Sequence, residues 1–223
     1  MYIPEHFRAR NHDETTAFMR AHSFAILVSS TDDGPFATHL PLFIHEENGQ
    51  IRLRGHVGKA NPHGHYLERQ PQCLTIFHGP HSYISPRNYA ARDSVPTWNY
   101  AAVHLYGNAR IFSSEQELQG MLNELIATFE PAYRSQWESA SQPFRENMLR
   151  QIVGFEIIPT KIEAKFKLSQ NRSREDQANV IASLEQAEDS AIAGVAQMMK
   201  DRCLGNSAAW EEIAKEKIGK EEK

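Results

Sequence analysis

The chain has 223 residues, 40% of them hydrophobic and 23% charged, and carries a formal net charge of −4. A chain of this length buries roughly 70% of its unfolded surface, so its core requires neither disulfides nor a metal. The acidic balance offers no general basic face for nucleic acid, no run approaches the ~20 apolar residues of a membrane span, and "MYIPEHFRAR" lacks the apolar stretch of a leader.

In chain order, "DETTAFMRAH" (13–22) has helical spacing, with Asp13 placed as its N-cap. The period then changes. "SFAILVSS" (23–30) predicts a buried strand, and Asp33-Gly34-Pro35 a turn. "FATHLPLFIH" (36–45) predicts one strand, with Phe36, Thr38, Leu40, Leu42 and Ile44 on one face. Asn48-Gly49 marks a hairpin turn before "QIRLRGH" (50–56), which sets Arg52, Arg54 and His56 on one face. The three strands are expected to form an antiparallel meander.

A short helix is expected from Ala60-Asn61-Pro62. "CLTIFHG" (73–79), "SYIS" (82–85) and "YAAVHLYGNARIF" (100–112) predict three further strands. "SSEQELQGMLNELIATF" (113–129) predicts an amphipathic helix with a Ser114/Glu117 capping box. "VGFEIIPTKIEAKFKL" (153–168) predicts a late strand whose second half alternates lysine and glutamate with apolar residues. Two helices follow over 173–200, capped at Ser173 and broken near Glu188-Asp189-Ser190, before a charged tail. Six or seven antiparallel strands with a few helices give an α+β fold built on a barrel. The expected division is a barrel over 1–172, a packed helix pair over 173–200, and a tail over 201–223.

Three constellations could carry chemistry. In "RLRGHVGKANP" (52–62), Arg54, His56 and Lys59 lead into a helix start at Asn61-Pro62, where free N–H groups would suit a phosphate. A solvated basic hairpin end fits the same residues. All eleven histidines lie at or before His104, including His63-x-His65 and His78-x-x-His81. Imidazole suits zinc, copper or haem iron, but neither Cys73 nor Cys203 lies near, and packed or surface histidines are the simpler account. In "VPTWNYAAVHLYG" (95–107), Trp98, Tyr100 and Tyr106 suit an interface or a ring-stacking wall as well as a core. No nucleophile–base pattern stands out, so any catalysis would come from a cofactor. The two distant cysteines fit a cytoplasmic protein with reduced thiols.

"MYIPEHF", "HLPL" (39–42), "LRGHVGKANP" (53–62), "GPHSYISP" (79–86), "VPTWNY" (95–100) and "VGFEI…KFKLSQNRS" (153–173) resemble, in order, the PaiB family of FMN-binding split-barrel proteins, which are also described as negative transcriptional regulators. The likeness spans about residues 1–200 and departs at "NPHGHYLE", where the family pattern has an aromatic soon after Asn-Pro. It implies a homodimeric split barrel related to pyridoxamine-phosphate oxidases and flavin reductases, with FMN bound between two barrels. On that likeness Arg54, His56 and Lys59, with Asn61, would hold the FMN phosphate. Thr97, Trp98 and Asn99 would lie near the ring or the partner, and Gln170 and Arg172 would reach the cleft from the last strand. A flavin reductase or oxidase is the leading expectation. A regulator and a haem-binding barrel are the alternatives. Residues 173–200 carry two cations against five carboxylates, a net of −3, which argues against direct DNA binding by that helix pair.

Overall fold

A computed structural model describes residues 1–47 and 49–203. Most of the expected tail therefore lies outside the described residues. Seven antiparallel strands form one open sheet in the order β2-β1-β5-β6-β7-β4-β3: β1 Phe24–Thr31, β2 Gly34–Pro41, β3 Phe43–Glu47, β4 Gln50–Gly58, β5 Gln72–Ile84, β6 Thr97–Phe112 and β7 Ile152–Lys167. The helices are α1 His12–Ala21, α2 His63–Arg69, α3 Glu115–Phe129, α4 Arg134–Ser139, α5 Gln142–Arg150, α6 Arg174–Glu185 and α7 Ser190–Cys203. No helix among the described residues is long and apolar enough to cross a membrane.

The expected meander is corrected. Residues 36–45 form two strands: β2 pairs with β1, whereas β3 pairs with β4 at the far edge of the sheet. Proline lacks an N–H, so Pro41 ends the ladder. The Leu42 N–H instead bonds Ser23 O at 2.9 Å, and Leu42 and Phe43 are both buried, which breaks the alternation. Conversely, 73–79 and 82–85 are one strand that continues through Pro80. In the β3–β4 turn Glu47 faces Gln50 and Gly49 has φ +74°, a value glycine adopts without strain. Asn48 of the predicted turn lies outside the described residues. Helix α1 begins at His12, so Asp13 lies in its first turn, where a carboxylate suits the dipole. Ser114 and Ser173 cap α3 and α6, accepting from Glu117 N at 3.4 Å and Asp176 N at 3.1 Å.

The chain forms two compact units. One comprises His12–Phe77 and Val103–Glu163. Met19, Leu27, Leu42, Leu53, Phe77 and Phe155 are fully buried within it, and Phe43, Phe112, Leu118, Met121 and Leu149 form an apolar cluster there. Burying such side chains contributes about 1.5–3 kcal/mol each. The other comprises Met1–Asn11, Ala164 onward and His78–Ala102. Its α6 and α7 bury Val180, Ile181 and Leu184 together with Val195, Ala196 and Met199.

Candidate functional site

In the first unit, β4 presents Arg52, Arg54 and His56 as half-buried residues of one face, as its alternation predicts. Their charge is not left open to an outside anion. Arg54 lies opposite Glu156 in the β4–β7 register. Its Nη1 donates to Glu124 Oε1 at 2.6 Å, its Nε lies 3.7 Å from Glu156 Oε2, and its guanidinium sits over the Phe43 and Phe112 rings. Arg52 and Arg110 approach Glu156 at 3.4 and 3.8 Å, and Arg110 pairs with Glu117 at 2.7 Å. Three guanidinium groups thus meet three carboxylates, and Glu156, itself buried, is their hub. His56 is drawn further into neutrality because burial lowers its pKa, and its Nδ1 is buried without a hydrogen-bond partner.

Lys59 differs. It is exposed and makes no ion pair among the described residues, while its N–H is tied to Gln151 O at 2.7 Å. Lys59 lines a cavity of about 500 Å³ with Asn61, His65, Glu68 and Arg150 on its polar side and Leu118, Ile152 and Val153 on its apolar side. Arg54 does not line it.

The helix start expected to offer free N–H groups is closed by its own side chains. Asn61 Oδ1 accepts from His63 N at 3.0 Å, and Asn61 O accepts from Gly64 N at 3.4 Å. Asn61 Nδ2 donates to Thr38 Oγ1 at 3.3 Å. Asn61 therefore shapes the bend after Lys59, and the His63 and Gly64 N–H groups are engaged by it. His63 is fully buried, with Nδ1 2.8 Å from Thr38 Oγ1 and Nε2 3.0 Å from Ser29 Oγ. Burial pushes its pKa down to about 4, so the imidazole is neutral. One consistent arrangement has Thr38 O–H donating to Nδ1 and Nε2–H donating to Ser29. This buried chain had no local signal in the sequence, because its members come from β1, β2 and α2.

The remaining expected site residues lie in the second unit. Trp98 is 52% exposed, with the His81 and Tyr83 rings at 5.7 and 6.2 Å and His78 a further 6.0 Å from His81. Thr97 accepts a hydrogen bond from Lys167 Nζ. Asn99, by contrast, is fully buried, and its Nδ2 donates to Ser169 Oγ at 2.9 Å and Met199 Sδ at 3.3 Å. Gln170 folds back on its own strand end: Oε1 accepts from Leu168 N at 2.7 Å and Nε2 donates to Phe166 O. Ser169 has φ +64°, and Gln177 Nε2 donates to the carbonyls of Ser169 at 3.1 Å and Arg172 at 3.0 Å. Asn99 and Gln170 thus secure the turn from β7 into α6. Arg172 stays half-buried with its guanidinium 4.1 Å from the Tyr89 ring centre. Among the described residues no group of three or more His, Cys, Asp or Glu could hold a metal ion.

The family model described as "Putative FMN-binding domain" matches residues 1–161. The Protease synthase and sporulation protein PAI 2 of Bacillus subtilis is 37% identical over 204 residues, covering 91% of this chain and 98% of that protein. Among solved structures, the flavocytochrome Anf3 of Azotobacter vinelandii superposes with a TM-score of 0.56 at 18% identity, over 74% of this chain and 72% of that one. The FAD and haem binding protein of Mycobacterium smegmatis gives 0.56 at 12% identity, over 72% and 73%. At these identities the two structures establish the split-barrel fold and nothing finer.

Proposed function

Because the chain belongs to the FMN-binding domain family and is a PaiB homologue, we propose that it holds the FMN phosphate at Lys59. The observation that carries this reading is an ammonium without an acidic partner on the wall of a cavity of about 500 Å³, a size that suits small-molecule sites. Asn61 fixes the bend behind it, and the neutral His56 adds no repulsion. Arg54 contributes at one remove, by holding Glu124 and Glu156 away from the anion.

The open Trp98, His81 and Tyr83 face supports a second part of the proposal. An exposed cluster of rings suits a flat ligand or a second subunit, and we read the protein as a cytoplasmic homodimer that covers this face. FMN, when bound, supplies hydride and one-electron chemistry, which makes a flavin-reductase-like oxidoreductase the reaction class that fits best. Regulation, the alternative, would act through the ligand or a partner protein: residues 173–200 carry a net charge of −3, and Lys200 is engaged by Glu185. A gel shift of salt-sensitive, nanomolar strength lost on removing residues 173–223 would refute that.

The direct test is FMN titration followed by flavin fluorescence. Quenching with micromolar affinity or better is expected, weakened about tenfold or more in Lys59→Gln, as loss of a charge-assisted bond predicts. Absence of quenching together with an unchanged melting temperature at saturating FMN would refute the reading.

A further inference from the structure

The outward face of β7's second half, within the unit that contains Ala164 onward, carries a charge arrangement without internal compensation. Lys165 is 8% exposed, yet no carboxylate lies within 4 Å of it among the described residues. Its ammonium is flanked instead by aromatic faces, 5.3 Å from the Tyr100 ring centre and 5.8 Å from that of Tyr2. Lys167, two residues on, donates to Thr97 Oγ1 and has no carboxylate either. Its pKa is lowered by burial first, and then by the positive charges of Lys165 and Arg172. Arg172 lies over Tyr89 and likewise lacks an acidic partner among the described residues. Two acidic side chains of α6 are engaged elsewhere: Asp176 accepts from Ala90 N at 2.8 Å, and Glu185 engages Lys200.

Like charges gathered in a partly desolvated place repel one another. Elsewhere this chain avoids that cost by inserting carboxylates, as Glu156 does among three arginines. A lone buried ammonium is stabilised in part by tyrosine faces, but rings do not neutralise three cations.

We propose that Lys165, Lys167 and Arg172, with the Thr97 hydroxyl, form an anion site for a multivalent phosphate ester, separate from the phosphate position assigned to Lys59. The tyrosine walls restrict it to a group that brings its charge in a compact form. A dinucleotide electron donor presents that chemistry.

The test uses the full-length chain and calorimetric titration with inorganic pyrophosphate, repeated with FMN and with a 2′-phosphorylated nicotinamide dinucleotide. Pyrophosphate is expected to bind and to weaken as salt is raised. Lys165→Gln and Lys167→Gln should each reduce its affinity about tenfold or more, while the exposed Lys161→Gln leaves it unchanged. Lys167→Arg should restore most of the loss, which separates a charge requirement from a packing defect. Displacement of pyrophosphate by the dinucleotide and not by FMN assigns the site to the electron donor; displacement by FMN would overturn its separation from the Lys59 position. The two proposals fail separately, because FMN quenching that depends on Lys59 can stand without any pyrophosphate binding. No detectable pyrophosphate binding, or binding indifferent to both lysine substitutions in folded protein, would overturn the inference.

Discussion

Acid should weaken this protein through His63 in a way that can be isolated. Its ring is fully buried between Ser29 and Thr38, and burial holds its pKa near 4, against about 6.5 for an ordinary histidine. The folded-state value is the depressed one, so the unfolded chain takes up the proton first. The contribution is complete above about pH 6.5 and fades as the pH falls toward 4. The full effect is about 3 kcal/mol, of which about 2 kcal/mol is lost between pH 7 and pH 5. For a chain of this size that corresponds to a fall in Tm of roughly 4–8 °C. Other carboxylates and histidines also titrate in this range, so the comparison is with His63→Gln, whose amide can still donate and accept but cannot ionise. Urea unfolding followed by tryptophan fluorescence at pH 7, 6 and 5 should show wild type losing about 2 kcal/mol more than the variant. Equal losses in the two proteins would refute the reasoning. The titration of His63 followed by NMR checks it without any substitution, because a midpoint near 6.5 in the folded protein would do the same.

A Cβ at Gly107 would lie 2.6 Å from the Ile158 carbonyl oxygen and 2.7 Å from Ile157 Cγ2; since backbone cannot swing aside, Gly107→Ala should cost about 3 kcal/mol in chemical denaturation. Burial raises the Cys73 thiol to about 12, so a disulfide reagent should modify it at pH 8 only at the rate of unfolding, and rapid labelling of Cys73 in native protein would contradict this. Removing the shared carboxylate in Glu156→Ala leaves Arg52, Arg54 and Arg110 without their hub; a loss of about 2 kcal/mol is expected, discounted for the half-exposed arginines, and raised salt should narrow the difference.

Much of the fold was legible because its signals are local. The alternation of 50–56 and the serine caps of α3 and α6 each depend on residues a few positions apart. The break between β2 and β3 was hidden because "HLPLFIH" keeps an apolar rhythm through the point where the chain changes partners; Pro41 was the sole hint. Helices α4 and α5 went unread because they are short and leave Phe144 and Met148 exposed, so no clean stripe marks them. The site was less legible. A row of arginines looks the same in sequence whether or not distant carboxylates complete it, and Glu124 and Glu156 are remote from Arg54 along the chain. Asn99 and Gln170 are polar enough for a ligand, but a left-handed turn at Ser169 needs its amides satisfied locally. Lys165 stands in an alternating run of lysines and apolar residues, and nothing local in that run shows that two tyrosines distant in sequence flank its buried ammonium.

The partner that β4 requires, β7, is encoded about a hundred residues later. At cellular synthesis rates that interval lasts about 5–20 s. During it the nascent polypeptide carries one unsatisfied ribbon edge with Leu53 and Val57 on its flank, ready to dock with a neighbouring ribosome's product. Yield in a heterologous host should therefore respond to translation tempo and chaperone supply more than to the equilibrium stability of the finished molecule.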